Sequence, residues 1–215
     1  MVLGRALSWT AERFPERPAV AGERSLTYGD WEVRTNRLAH ALGGLGVRRG
    51  DRVGLVTANG EPMASAHLAC QKLGATSVPL NVRYAPAELA YCLKDAEPRV
   101  LVSDDSTTDL VQDALEALDR APAPTLVHEG DRPPADRARR LEALIAEQPG
   151  DPPDIAVAPD DISVMLYTAG TTGRPKGVPR SHHAELSAGL AHVIQARYAA
   201  GESTLCAMPR VCRRT

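Results

Sequence analysis

Residues 53–80 read VGLVTANGEPMASAHLACQKLGATSVPL. Val53–Thr57 is a short apolar run entered from the turn Arg49-Gly-Asp-Arg52, the pattern of a buried strand. Pro62 to Leu73 reads as a helix rich in small residues, and Ala75 to Leu80 as a second strand. Outward from this strand–helix–strand unit the alternation continues. Upstream, Thr27-Tyr-Gly-Asp30 is a helix-capping start, followed by Trp31, Leu38, Leu42 and Leu45 at helical spacing up to Gly46. Downstream, Pro86 opens a helix to Lys94, and Arg99–Ser103 is a strand. Asp109–Leu118 is helical, Thr125–His128 a brief strand, Asp136–Glu147 a mixed polar helix and Ile162–Tyr167 an apolar strand. Strands alternating with helices predict an α/β fold with mostly parallel sheets flanked by helices. Ala121–Pro124 and Gln148–Asp154 read as linkers, and the second predicts a first α/β unit over residues 1–155 and the start of another over 156–215.

Composition narrows the functional classes. The chain has 215 residues, 43% hydrophobic and 24% charged, ordinary for a soluble globular protein. Aromatics make up only 4%, so the core must rest on Leu, Val, Ile and Ala. A net charge of −2 supplies no electrostatic reason to bind nucleic acid or an anionic membrane. The N-terminus lacks the apolar run of a secretory signal, and no window approaches the ~18 apolar residues of a membrane span. A soluble, cytoplasmic protein is expected. Cys70, Cys92, Cys206 and Cys212 form neither a CxxC pair nor a Cys/His set, so reduced thiols and no metal site are expected.

The chemistry concentrates after residue 162. The Ile162–Tyr167 strand runs into Thr168-Ala-Gly-Thr-Thr-Gly-Arg-Pro-Lys-Gly177, and a helix resumes near Ser181. Gly170, Gly173 and Gly177 allow unusual backbone angles and close approach of amides to an anion. Thr168, Thr171 and Thr172 add hydroxyl donors, and Lys176 a compact positive charge. Pro175 limits the loop's freedom. A Gly-rich surface turn is the bland alternative. Against it, the chain has only three lysines, Lys72, Lys94 and Lys176, and one falls inside the pattern. The loop is not a Walker A motif, because Lys176 follows Pro175 and precedes Gly177.

Residues 167–178, Tyr-Thr-Ala-Gly-Thr-Thr-Gly-Arg-Pro-Lys-Gly-Val, resemble the phosphate-loop signature of the adenylate-forming superfamily. That superfamily includes acyl- and aryl-CoA ligases, luciferases and peptide-synthetase adenylation domains. Upstream, Leu26-Thr-Tyr, Asn36-Arg-Leu-Ala39, Leu45 to Val53, Lys72-Leu-Gly-Ala, Val78 to Arg83 and Pro86 to Tyr91 follow the family's order. The resemblance implies a truncated N-terminal domain of that fold. It implies ATP, Mg2+, coenzyme A and a small-molecule carboxylic acid as substrates of the complete enzyme, with no nucleic-acid partner. A carboxylate would attack the α-phosphate of ATP, and a thiol would then displace AMP. Thr168, Ala169, Gly170, Thr171, Thr172, Gly173 and Lys176 would grip the phosphates. Ala169 stands where the family has Ser, which removes one hydroxyl donor. His182 matches a His common at the start of the next helix, where it would orient the loop or a nearby carboxylate; the plain alternative is an exposed helix-start residue. Four further histidines, at 40, 67, 128 and 192, read as surface or packing residues.

The tail departs from the family. Thr204 to Pro209 resembles a strand that normally leads to an apolar acyl-site segment, but Arg210-Val-Cys-Arg-Arg-Thr215 follows instead. The expectation is a frameshift or premature stop near Met208, leaving a phosphate loop without an adenosine site, weak ATP binding, no turnover by this chain alone and low solubility. Three readings stay open: a fatty or aromatic acid–CoA ligase fragment, a peptide-synthetase adenylation unit, and a non-catalytic remnant or half-protein that complements a separate C-terminal half.

Overall fold

The structure is a computed structural model that describes residues 2–22, 24–118, 124–168, 174–199 and 201–202. An N-terminal helix α1 (Gly4–Arg13) precedes a small antiparallel hairpin of β1 (Pro18–Val20) and β2 (Leu26–Thr27). Helix α2 (Tyr28–Gly44) starts at the expected cap. Thr27 Oγ1 accepts from the Asp30 amide at 3.1 Å, and the Thr27 amide donates to Asp30 Oδ2 at 3.3 Å, so each satisfies a donor the helix start would leave orphaned. Then follow β3 (Arg52–Val56), α3 (Glu61–Leu73), β4 (Thr76–Pro79), α4 (Pro86–Ala96), β5 (Val100–Asp104), α5 (Thr108–Glu116) and β6 (Thr125–Glu129). The chain continues through β7 (Arg139–Arg140), α6 (Leu141–Ala146), β8 (Ile162–Thr168), β9 (Lys176–Ser181) and α7 (His182–Ala196).

Seven of these strands form one sheet in the order β7-β6-β5-β3-β4-β8-β9. Every pairing from β7 through β8 is parallel, and only β8–β9 is antiparallel. The mostly parallel sheet flanked by helices is therefore present. The boundary expected near residue 155 falls in the extended segment between α6 and β8, and β8 joins the same sheet by pairing Ser77 with Val164.

The sheet is covered on both faces, as parallel sheets must be. On one face Val53, Leu55, Val100, Val102 and Val127 pack with α2, α3 and α6. On the other Val56, Val78, Leu80, Leu101 and Leu126 pack with α4 and α5. The alternation of Leu101 with Val100 and Val102 across the two faces is the period of two that a strand imposes. Glycine matters at two places. Gly54 lets Leu101 lie flat against β3, since a Cβ there would stand 2.7 Å from Leu101 Cδ1. Gly74 closes α3 at φ 71°, a left-handed cap that glycine takes without strain.

Two sequence expectations are corrected. The helix expected over Asp136–Glu147 is shorter: Arg139–Arg140 instead adds a parallel edge strand beside β6, and only Leu141–Ala146 is helical. Residues Lys176–Ser181 are a strand, where a loop running into a helix was expected. Gly177 and Pro179 hide a strand from pattern reading, but a sheet edge tolerates proline because one side of it needs no amide donors. Helix α1 and the β1–β2 hairpin carry no periodicity strong enough to have been expected.

Leu55 lies on the central strand and is fully buried. Leu55→Ala is expected to lower unfolding free energy by ~2–5 kcal/mol, read as a shifted urea midpoint with an unchanged m-value.

Candidate functional site

Strand β8 is parallel to β4, so its C-terminal end at Thr168 opens on the edge of the sheet where ligands of open α/β folds bind. The chain then reverses. Thr168 and Lys176 sit opposite each other in antiparallel register, followed by Tyr167–Gly177 and Leu166–Val178. A hydroxyl and an ammonium are thereby held side by side at the mouth of a hairpin, with Lys176 exposed and without an ion pair among the described residues. The other candidates, Ala169, Gly170, Thr171, Thr172 and Gly173, lie outside the described residues. So do Cys206 and Cys212.

The two other lysines differ from Lys176 in context. Lys72 is buried and pairs with Glu32 at 2.6 Å while donating to Asn36 Oδ1 at 2.6 Å. Burial pushes its pKa down, and the Glu32 carboxylate opposes that shift. It ties α3 to α2. Lys94 lies exposed on α4. Among the lysines, Lys176 alone stands at the end of the parallel array.

His182 is not exposed. Its side chain is fully buried at the first position of α7, whose N-cap Ser181 accepts from the Ala184 amide at 3.2 Å. Nδ1 accepts from the Leu3 amide at 3.3 Å, which leaves the neutral ring's proton on Nε2. Burial pushes the His182 pKa down, and the Asp161 charge opposes this. The His182 and His183 amides donate to Asp161 and Pro159 carbonyls at 3.1 and 2.9 Å. The helix start is thus fastened to the N-terminal segment and to the strand entry, and the exposed-residue alternative is overturned.

Other polar clusters are structural. Ser103, His128 and Asp105 form a line, with Ser103 Oγ 3.0 Å from His128 Nδ1 and His128 Nε2 2.8 Å from Asp105 Oδ1. Ser103 and His128 are buried, which denies a substrate access to the hydroxyl. Arg34 bridges Glu61 and Glu142, each at 2.7 Å, and clamps α2 to α3 and α6. No group of three or more His, Cys, Asp or Glu among the described residues could hold a metal ion. Cys70 and Cys92 are free and buried, and burial raises both thiols to about 12.

Residues 7–212 match the family described as AMP-binding enzyme, and the chain belongs to it. It is 35% identical over 188 residues to the 3-hydroxybenzoate–CoA/4-hydroxybenzoate–CoA ligase of Thauera aromatica, covering 87% of this chain and 35% of that protein. It is also 34% identical over 176 residues to surfactin synthase subunit 1 of Bacillus subtilis (strain 168), covering 81% of this chain and 4% of that protein. The crystal structure of the anthranilate CoA ligase AuaEII in complex with anthranoyl-AMP superposes with a TM-score of 0.80 at 28% identity, covering 90% of this chain and 37% of that one. The chain spans about a third of the length of the curated ligases it matches. Among the described residues, no helix is long and apolar enough to cross a membrane.

Asp105 accepts from the Arg132 and Asp131 amides and from His128. These hydrogen bonds, Arg132's first, lower its pKa from 3.8 to about 2. A carboxyl depressed in the folded state stabilises above its unfolded value and loses that contribution as pH falls through its folded value. The melting temperature of Asp105→Asn should therefore lie below wild type at pH 7, with the gap closing between pH 4 and 2; a pH series of thermal melts reads this directly.

Proposed function

We propose that this chain is the N-terminal portion of an ATP-dependent, AMP-forming carboxylic acid–CoA ligase, and that the β8–β9 hairpin is its phosphate grip. The observation that carries the reading is Thr168 facing Lys176 at the C-terminal end of a parallel strand. Thr168, Thr171, Thr172, Gly173 and Lys176 would hold the β- and γ-phosphates, with Ala169 and Gly170 allowing the backbone to approach. The grip positions the triphosphate and neutralises charge on the departing pyrophosphate, leaving the α-phosphorus open to the substrate carboxylate. The donor set suits phosphate oxygens. Mg2+ would arrive bound to ATP. Coenzyme A supplies the thiol that later displaces AMP. The chain spans about a third of the relatives' length, and in this reading the residues for adenosine, the acyl group and coenzyme A would be supplied from outside the stretch described. A cytoplasmic location suits these soluble substrates.

The α7–β9 face supports a partner that completes the fold. Ile194 is 76% exposed and Leu190 53%, with Val193 also open, so three apolar side chains at helical spacing share one exposed face of α7, and Val178 on β9 is open too. A C-terminal polypeptide covering this face is the half-protein reading. The match to surfactin synthase supports the second reading, a peptide-synthetase-type adenylation unit, in which the thiol belongs to a carrier domain.

Two measurements test these readings. Titration calorimetry with Mg-ATP should show weak binding by the chain, with Lys176→Ala reducing affinity about tenfold or more and Lys94→Ala leaving it unchanged; equal losses from both would sink the phosphate grip. Separately expressed polypeptide covering the remaining length of an aryl-CoA ligase relative should restore ATP–pyrophosphate exchange on mixing, and Ile194→Asp should abolish it. Exchange that survives Ile194→Asp would rule out this docking face.

A further inference from the structure

Both flanks of the hairpin loop are fastened to one helix. Tyr167, the residue before Thr168, is 2% exposed and shares an apolar cluster with Leu89, Leu93 and Ala96 of α4. Its hydroxyl donates to Asp95 Oδ2 at 2.6 Å and lies 3.3 Å from the Cys92 carbonyl oxygen. On the far flank the Arg174 guanidinium carbon stands 5.6 Å from the centroid of the Tyr91 ring, within cation–π range. Tyr91 and Asp95 are four residues apart, so they present to the hairpin from one face of α4. Both candidate grip residues inherit their position from these contacts. Thr168 follows Tyr167 directly, and Lys176 lies two residues beyond Arg174 and beside Gly177, the partner of Tyr167.

We propose that Asp95 and Tyr91 are positioning residues for the phosphate grip, Asp95 acting through Tyr167 and Tyr91 through Arg174. The inference rests on the phosphate-binding reading above. Its physical content is that a hairpin at the sheet edge, held by one parallel neighbour, needs a second support to keep two donors in register. Burial first, and then the Asp95 hydrogen bond, raise the Tyr167 pKa, so the hydroxyl stays a donor throughout the physiological range. An anion-binding pair misplaced by about an ångström loses much of its advantage. Asp95 is exposed on the helix surface and contributes little to the core, which separates its role from packing.

The test combines a binding cycle with amide hydrogen exchange on the 215-residue chain. Asp95→Ala and Tyr167→Phe should each weaken Mg-ATP affinity about tenfold, and the double variant should lose little more than either single. Asp95→Asn, whose amide oxygen still accepts, should recover most of the loss, while Tyr91→Leu should cost about two- to fivefold. Exchange of the β9 amides should accelerate in Tyr167→Phe while those of β3 stay unchanged. Additive losses in the double variant, or Asp95→Asn no better than Asp95→Ala, would overturn the proposal. So would unchanged β9 exchange, whatever the nucleotide data. If the unsubstituted chain shows no Mg-ATP binding, the phosphate-grip reading itself fails; accelerated β9 exchange would then mark the α4 contacts as purely structural.

Discussion

The burial of β3 constrains most of what surrounds it. Its backbone is hydrogen-bonded to β4 on one side and β5 on the other, and its side chains face apolar layers on both surfaces. A parallel strand cannot be joined to its neighbour by a tight turn, so each pairing demands a crossover, and each crossover helix must find a face to cover. The helices α3, α4 and α5 are placed in this way. Gly54 leaves room for Leu101 against β3, because a methyl group there would meet Leu101 Cδ1. The twofold layering follows from strand alternation read against two sets of helices.

The departure from this regime is also where the candidate site residues Thr168 and Lys176 lie. After β8 the chain makes no crossover. It turns back as β9, which brings Lys176 level with Thr168 and leaves the hairpin at the sheet's edge. An edge strand gains half the ladder of a central one, so its placement depends on what its neighbours offer. Tyr167 inserts into the α4 layer, Arg174 rests on Tyr91, and His182 meets the Leu3 amide at the following helix start. Two distant parts of the chain, α4 and the N-terminal segment, thus meet the hairpin and the helix start that follows it. Membership of the AMP-binding family gives that convergence a chemical setting.

Charge within the fold serves mainly to fasten helices together. The Lys72–Glu32 pair and the bridge from Arg34 to Glu61 and Glu142 join α2 to α3 and α6, and a buried charge of this kind is tolerated only when its partner is also held. The Ser103–His128–Asp105 line is likewise satisfied internally. Lys176, by contrast, is exposed and stands outside these networks among the described residues. Leu190, Val193 and Ile194 on α7 are likewise exposed and apolar.

Much of the fold was legible in local chemistry. The Thr27–Asp30 cap, the apolar runs at 53–57, 75–80, 99–103 and 162–167, and the helices between them depend on neighbours in sequence, and periodicity reports such neighbours well. The hydroxyl, glycine and lysine spacing after residue 167, from which a phosphate loop is proposed, is likewise a local pattern, and residues 169–173 lie outside those the structure describes. Local pattern could not reveal that Lys176–Ser181 is a strand, since glycine and proline there suppress the signal that edge pairing overrides. It overextended the helix at 136–147, because the parallel partner for Arg139–Arg140 lies on β6, a segment away. It also passed over Asp95, Tyr91 and the burial of His182, whose partners are Tyr167, Arg174 and Leu3, from 72 to 179 residues distant for the two hydrogen-bonded pairs. Contacts between residues so far apart leave no periodic trace in one sequence, and only the folded sheet brings them together.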